Sequence, residues 1–146
     1  MFKLFLALHL LAAVGAIGPL IHAATTAARG LRRSNASATA EASRMLRVYA
    51  IASVIVVILG FALMSMTSPY THKVVAHFTD TWVWLSLVLW ALGVALSWAM
   101  STTLDRATTM INKEESITAL RGRVAAAGGI VGLIFAAIIV LMVFQP

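Results

Sequence analysis

Four stretches of the chain contain no charged side chain, and each is long enough to cross a lipid bilayer. They cover residues 4–28, 48–72, 81–104 and 124–146. A helix needs about 20 apolar residues to cross a hydrocarbon core about 30 Å thick. The pattern therefore predicts an all-α fold, an antiparallel four-helix transmembrane bundle that forms a single integral membrane domain over residues 1–146.

The helix boundaries follow from turn-like and capping residues between these stretches. The predicted transmembrane helices cover about residues 3–28, 44–66, 81–102 and 113–144. Asn112, followed three residues later by Glu115, resembles a capping box and places the start of the fourth helix near Lys113. The small, polar residues from Gly30 to Ser43 are predicted to form a short connection.

Composition agrees with a membrane protein, and the distribution of charge predicts its orientation. The 146 residues are 61% hydrophobic and 11% charged, whereas soluble domains have about 25% charged residues. Nine of the eleven basic residues lie within residues 29–47 and 105–123, in or beside the first and third connections, and only Lys3 and Lys73 lie on the other side. This asymmetry predicts an N-out/C-out protein of the cell (plasma) membrane.

The net charge of +6 is explained by an interaction of the basic residues with the lipid bilayer. Basic segments beside a membrane contact anionic head groups, so nucleic acid is not an expected partner. The chain has no cysteine, which excludes disulfides and thiol catalysis.

Small residues recur at helical spacing on two of the predicted helices. Gly128, Gly132 and Ala136 are four residues apart in the fourth helix, and Gly93 and Ser97 share a face of the third with Ser86 and Trp90. Such stripes let helix backbones approach closely in a membrane. They predict helix packing, either within one chain or between the subunits of a homo-oligomer.

The charge-free spans lack the side chains on which most membrane enzymes and transporters depend. They contain no carboxylate, lysine or arginine, which disfavours a proton-coupled transporter. The chain shows no Ser–His–Asp arrangement, no paired carboxylates and no phosphate-binding glycine loop. Two histidines, His9 and His22, nevertheless lie in the first span, and His22 is expected near the cytoplasmic boundary.

Three interpretations of the histidines and methionines stay open. His9 could bind haem b as an axial ligand, with His72 or His77 of the outer loop as the second ligand. Alternatively, His9 is neutral and hydrogen-bonded to a hydroxyl group of another helix. A copper site is the third interpretation, because thioether and imidazole ligands suit copper; its candidate ligands are Met64, Met66, His72 and His77.

Three segments carry a resemblance to a known family. "FKLFLALHLLAAVGAIG", "SLVLWALGVAL" and "RGRVAAAGGIVGLIFAAIIVLMVFQP" resemble an uncharacterised family of small bacterial four-helix integral membrane proteins, over essentially the whole chain. The first-helix histidine is also distantly similar to copper-resistance-D-like proteins and membrane protoporphyrinogen oxidases, which implies a link between His9 and haem. Those relatives have a tryptophan where this chain has Gly15 and Ala16, and the oxidases have further histidines and lysines in later helices.

The sequence thus predicts a small multi-pass membrane protein with one of two functions. The first is a non-enzymatic accessory or assembly protein, which acts within a homo-oligomer or a larger membrane complex. The alternative is a redox-associated protein that binds haem b or copper through His9 and the outer loop. A spectrum in the visible region distinguishes the two.

Overall fold

The computed structural model describes residues 1–145, which form four long helices. These are α1 (Phe2–Arg32), α2 (Ala36–Met64), α3 (Thr81–Asn112) and α4 (Thr118–Phe144). Each is long and apolar enough to cross a membrane. The predicted all-α four-helix fold of a multi-pass membrane protein is therefore confirmed.

The two ends of the bundle differ in charge and in the length of their connections. Residues 33–35 and 113–117 form two short connections at one end, here called the basic end because nine of the eleven lysines and arginines lie there. Met1, Gln145 and the loop of residues 65–80, the long loop, lie at the other end, here called the termini end. Helix α1 packs against α2 and α4, α3 packs against the same two helices, and α1 and α3 are diagonal.

Helix α2 begins earlier than the sequence pattern indicates, so most of the predicted first connection is helical. Asn35 caps the helix, since its side-chain oxygen accepts a hydrogen bond of 2.9 Å from the backbone N–H of Ala38. Ser34 makes the turn with a positive φ of 48°. Gly30 lets the end of α1 lie close to Thr39, because a Cβ at Gly30 would be 3.1 Å from the Thr39 hydroxyl oxygen.

The start of α4 also differs from the prediction near Lys113. Asn112 is the last residue of α3 and does not cap α4, which begins at Thr118. Glu114 has a positive φ of 59°, a left-handed conformation that interrupts a helix. Ile117, only 4% exposed, anchors the connection in the core.

The bundle core lies mainly in the half near the basic end, where small residues line α1. The buried alanines of α1 in this half are Ala23, Ala24, Ala27 and Ala28. Among the glycines of the described residues, Gly128 of α4 makes the closest contact with another helix. A Cβ built on it would overlap the carbonyl oxygen of Ala24 on α1 and lie 2.9 Å from the Ala24 carbonyl carbon. Gly132 faces Thr25, with 3.5 Å from a built Cβ to the Thr25 methyl group, whereas Ala136 is exposed.

Polar side chains join α2 to α3 at the basic end. Arg47 forms an ion pair with Asp105, and its Nε donates to the Ser101 hydroxyl at 3.1 Å. The single hydroxyl proton of Ser43 is shared between two acceptors, the Asp105 carboxylate at 2.6 Å and the Ser101 carbonyl at 2.9 Å. These contacts fix the register of the two helices where they meet the charged surface.

The neighbouring glycines of α4 provide a matched test of the α1–α4 contact. Gly128→Ala should lower the free energy of unfolding by about 1–3 kcal/mol, because the added methyl group forces two backbones apart. Gly129→Ala should be neutral or stabilising by up to about 1 kcal/mol, since a Cβ there meets nothing within 4 Å. Unfolding in detergent measures both, and equal unfolding curves would contradict the assigned contact.

Candidate ligand-binding cavity

A cavity of about 350 Å³ lies between the four helices in the half near the termini end. Its volume falls within the range of about 300–1,000 Å³ that is typical of small-molecule sites. All four helices and Val75 of the long loop contribute to its wall, which is almost entirely apolar. Most lining residues are large and apolar, and Ala13 and Gly60 are the small residues among them besides Ser86.

His9 lies on this wall in a defined orientation. It is 8% exposed, and its Nδ1 lies 3.0 Å from the backbone carbonyl oxygen of Val56 on α2. A carbonyl oxygen only accepts, so Nδ1 carries the proton and Nε2 keeps a free lone pair. The one hydrogen bond of His9 within residues 1–145 is made by Nδ1, so Nε2 is not paired there. The partner of His9 is therefore a backbone carbonyl, not the hydroxyl group that one interpretation of the sequence expected.

Gly60 makes this orientation of the imidazole feasible. It lies one helical turn after Val56, and a Cβ at this position would be 3.3 Å from Cε1 of His9. That distance is shorter than ordinary van der Waals contact. Nothing in the sequence indicated that Gly60 receives the ring of His9.

Ser86 of α3 is a further polar residue on the wall, which also includes Gln145, and the Ser86 hydroxyl is unpaired. It is 4% exposed, and its hydroxyl oxygen has no hydrogen-bond partner within the part of the chain that the structure describes. Nearby serines behave differently. Ser53 donates to the Ala50 carbonyl at 2.6 Å and accepts from Trp90 Nε1 at 3.0 Å, and Ser97 donates to the Gly93 carbonyl at 2.8 Å.

The structure separates most of the predicted haem and copper ligands from His9. His72 and His77 are exposed on the long loop and do not form part of the cavity wall. Met66 is half-buried and also lies outside the wall, whereas Met64 is part of it. Of the proposed ligands, only Met64 therefore shares the cavity with His9. Between residues 1 and 145, no cluster of three or more His, Cys, Asp or Glu side chains could hold a metal ion.

The long loop packs over the termini end of the helices. Phe78 stacks on Phe61 of α2 with a centroid distance of 5.6 Å, and the Lys3 ammonium lies 5.8 Å from the centre of the Tyr70 ring. Ala76 is buried against Met64 in a small apolar cluster. The loop thus covers this end of the cavity with apolar contacts.

The wall between α1 and α4 is different, because several of its residues also face outward. Leu10 is 56% exposed, Ile139 53% and Val143 73%, yet all three line the cavity. The cavity is not fully enclosed, and we call this part of its wall the lateral opening. In a membrane these side chains contact lipid, so the cavity communicates with the interior of the bilayer.

Comparisons with protein-family models, curated proteins and solved structures found no match.

The two serines on α2 and α3 should respond oppositely to loss of the hydroxyl group. Ser86→Ala should raise the free energy of unfolding of the ligand-free protein by about 1 kcal/mol, because it removes a buried, unpaired polar group. Ser53→Ala should lower it by about 1–2 kcal/mol, since Trp90 loses its acceptor. Unfolding titrations in detergent test both, and a destabilising Ser86→Ala would mean that its hydroxyl is satisfied.

Proposed function

We propose that the protein is a non-enzymatic accessory protein of the membrane that binds a small apolar molecule from the bilayer. The observation that carries this proposal is the cavity of about 350 Å³, to which all four helices contribute. A mostly apolar wall with a few polar groups is typical of small-molecule binding sites. The wall contains no carboxylate, lysine or arginine, so it favours binding over acid–base chemistry.

The orientation of the protein is part of the same proposal. With the basic end in the cytoplasm, as the positive-inside rule favours, the cavity lies in the outer leaflet of the plasma membrane. The arginines and lysines of the basic end then contact anionic lipid head groups. The likeness to small bacterial four-helix membrane proteins is compatible with this placement.

A second candidate function is a haem b protein with His9 as an axial ligand. It is favoured by the hydrogen bond of His9 Nδ1 to the Val56 carbonyl, since metal-bound histidines usually donate their other ring N–H to such an oxygen. Met64 is a candidate second ligand because it lies on the same cavity wall. A copper site on Met64, Met66, His72 and His77 has less support, since both histidines are exposed outside the cavity.

Filling the cavity tests the first proposal. Ala13→Trp places an indole in the cavity, so a purified sample should lose any apolar molecule that the wild type retains at a 1:1 ratio. Val14→Trp is the matched control, because Val14 is 75% exposed and does not line the cavity. Native mass spectrometry of protein released from nanodiscs measures the occupancy. Equal occupancy in both variants, or an empty wild type, would contradict binding in the cavity.

The visible spectrum distinguishes the second candidate from the first. If the protein binds haem b, the purified wild type has a Soret band, and His9→Gln loses or shifts it because an amide does not replace imidazole on iron. We expect no such band. His22→Gln is the control, since His22 is exposed in the half near the basic end. A Soret band that depends on His9 and not on His22 would establish the haem function instead.

A further inference from the structure

We infer that the cavity selects an uncharged, single-tailed lipid-soluble molecule whose head is a hydroxylated ring. This inference rests on the proposed function and adds the chemical class of the ligand. It depends on two unpaired polar groups, His9 Nε2 and the Ser86 hydroxyl, and on the lateral opening.

The protonation of His9 decides which polar group a ligand must present. Because Nδ1–H donates to the Val56 carbonyl, Nε2 can only accept a hydrogen bond. A ligand hydroxyl can donate to it, whereas a ketone, an ether or a carboxylate cannot. The Ser86 oxygen is fully buried in the wall, so it pairs with a ligand only after its side chain turns towards the cavity. Its hydroxyl can then donate or accept, and the same class of ligand satisfies it.

The absence of charge on the wall determines that the ligand is neutral. None of the lining residues is a lysine, arginine, aspartate or glutamate. A phosphate, a carboxylate or an ammonium group would lose its hydration here without gaining a counter-ion, which is costly in a low-dielectric site. Phospholipid head groups are thereby excluded from the cavity.

The remaining wall favours a ring for the head and a hydrocarbon chain for the tail. Four aromatic side chains line the cavity, namely Phe61, Trp82, Trp90 and Phe135. Aromatic pairs gain favourable offset or edge-to-face contacts beyond simple burial. The lateral opening between Leu10 and Val143 provides the path along which a tail extends into the lipid.

Two probes test this inference: 4-octylphenol and its methyl ether, 4-octylanisole. In the ether, a methyl group replaces the hydroxyl proton, so the oxygen can no longer donate a hydrogen bond. Each is added to the full-length protein in nanodiscs at the same mole fraction in the lipid, and ligand-induced stabilisation gives the dissociation constant. We expect the phenol to bind about tenfold more tightly, since only it satisfies Nε2. His9→Phe should abolish this preference, whereas His9→Gln should retain part of it because the amide oxygen still accepts.

The controls separate failure of this inference from failure of the proposed function. Ala13→Trp should abolish binding of both probes, and Val14→Trp should leave both unchanged. Equal affinity of the wild type for the two probes, with binding still sensitive to Ala13→Trp, overturns the hydroxyl selectivity alone. If neither probe stabilises the wild type, both the selectivity and the proposed function are wrong. The wild-type comparison of the two probes tests the hydroxyl selectivity without requiring any variant to fold.

Discussion

The structure depends on the contact between Gly128 of α4 and the backbone of Ala24 on α1. Inside a membrane, side chains gain little by leaving lipid for protein, so helices associate through close van der Waals contact and polar bonds. The absence of a side chain at Gly128 lets α4 lie directly on the Ala24 carbonyl. Buried alanines continue this contact along α1 towards the basic end. The compact half of the bundle is a consequence of these small residues.

The cavity results from the change of side-chain size along the same two helices. Towards the termini end, α4 presents Phe135, Ile138 and Met142 instead of glycine, and α1 presents His9 and Leu10. Large side chains that do not interdigitate completely leave space between the helices. The atoms that line this space have no neighbours on one side, so they lose dispersion energy. An apolar ligand that fills the cavity restores those contacts. The increase in side-chain size along α1 and α4 thus accounts both for the close packing at the basic end and for the cavity near the termini end.

The buried serines of the bundle differ in their hydrogen bonds. Ser43, Ser53, Ser97 and Ser101 all form hydrogen bonds within the protein. At the basic end, Nε of Arg121 is buried without a partner among residues 1–145, and at the cavity Ser86 and His9 Nε2 form no hydrogen bond either. An unpaired polar group in an apolar site costs more than a bond gains, so these groups oppose stability unless a ligand pairs with them. The position of Ser86 and His9 on one wall is the reason to assign binding to the termini end.

Part of the candidate site was predictable from residue types and spacing, and part was not. The pattern placed His9 within the first membrane span and Ser86 on the same helix face as Trp90. It also identified Gly128 and Gly132 as packing residues. The contacts of Gly60 with His9, the Val56 carbonyl as partner and the exposed positions of His72 and His77 required the structure. The sequence by itself determined the four helices, because lipid obliges every spanning segment to satisfy its own backbone hydrogen bonds. Only the tertiary structure decided where α2 and α4 begin and that a cavity opens beside His9, since those features depend on contacts between residues far apart in the chain.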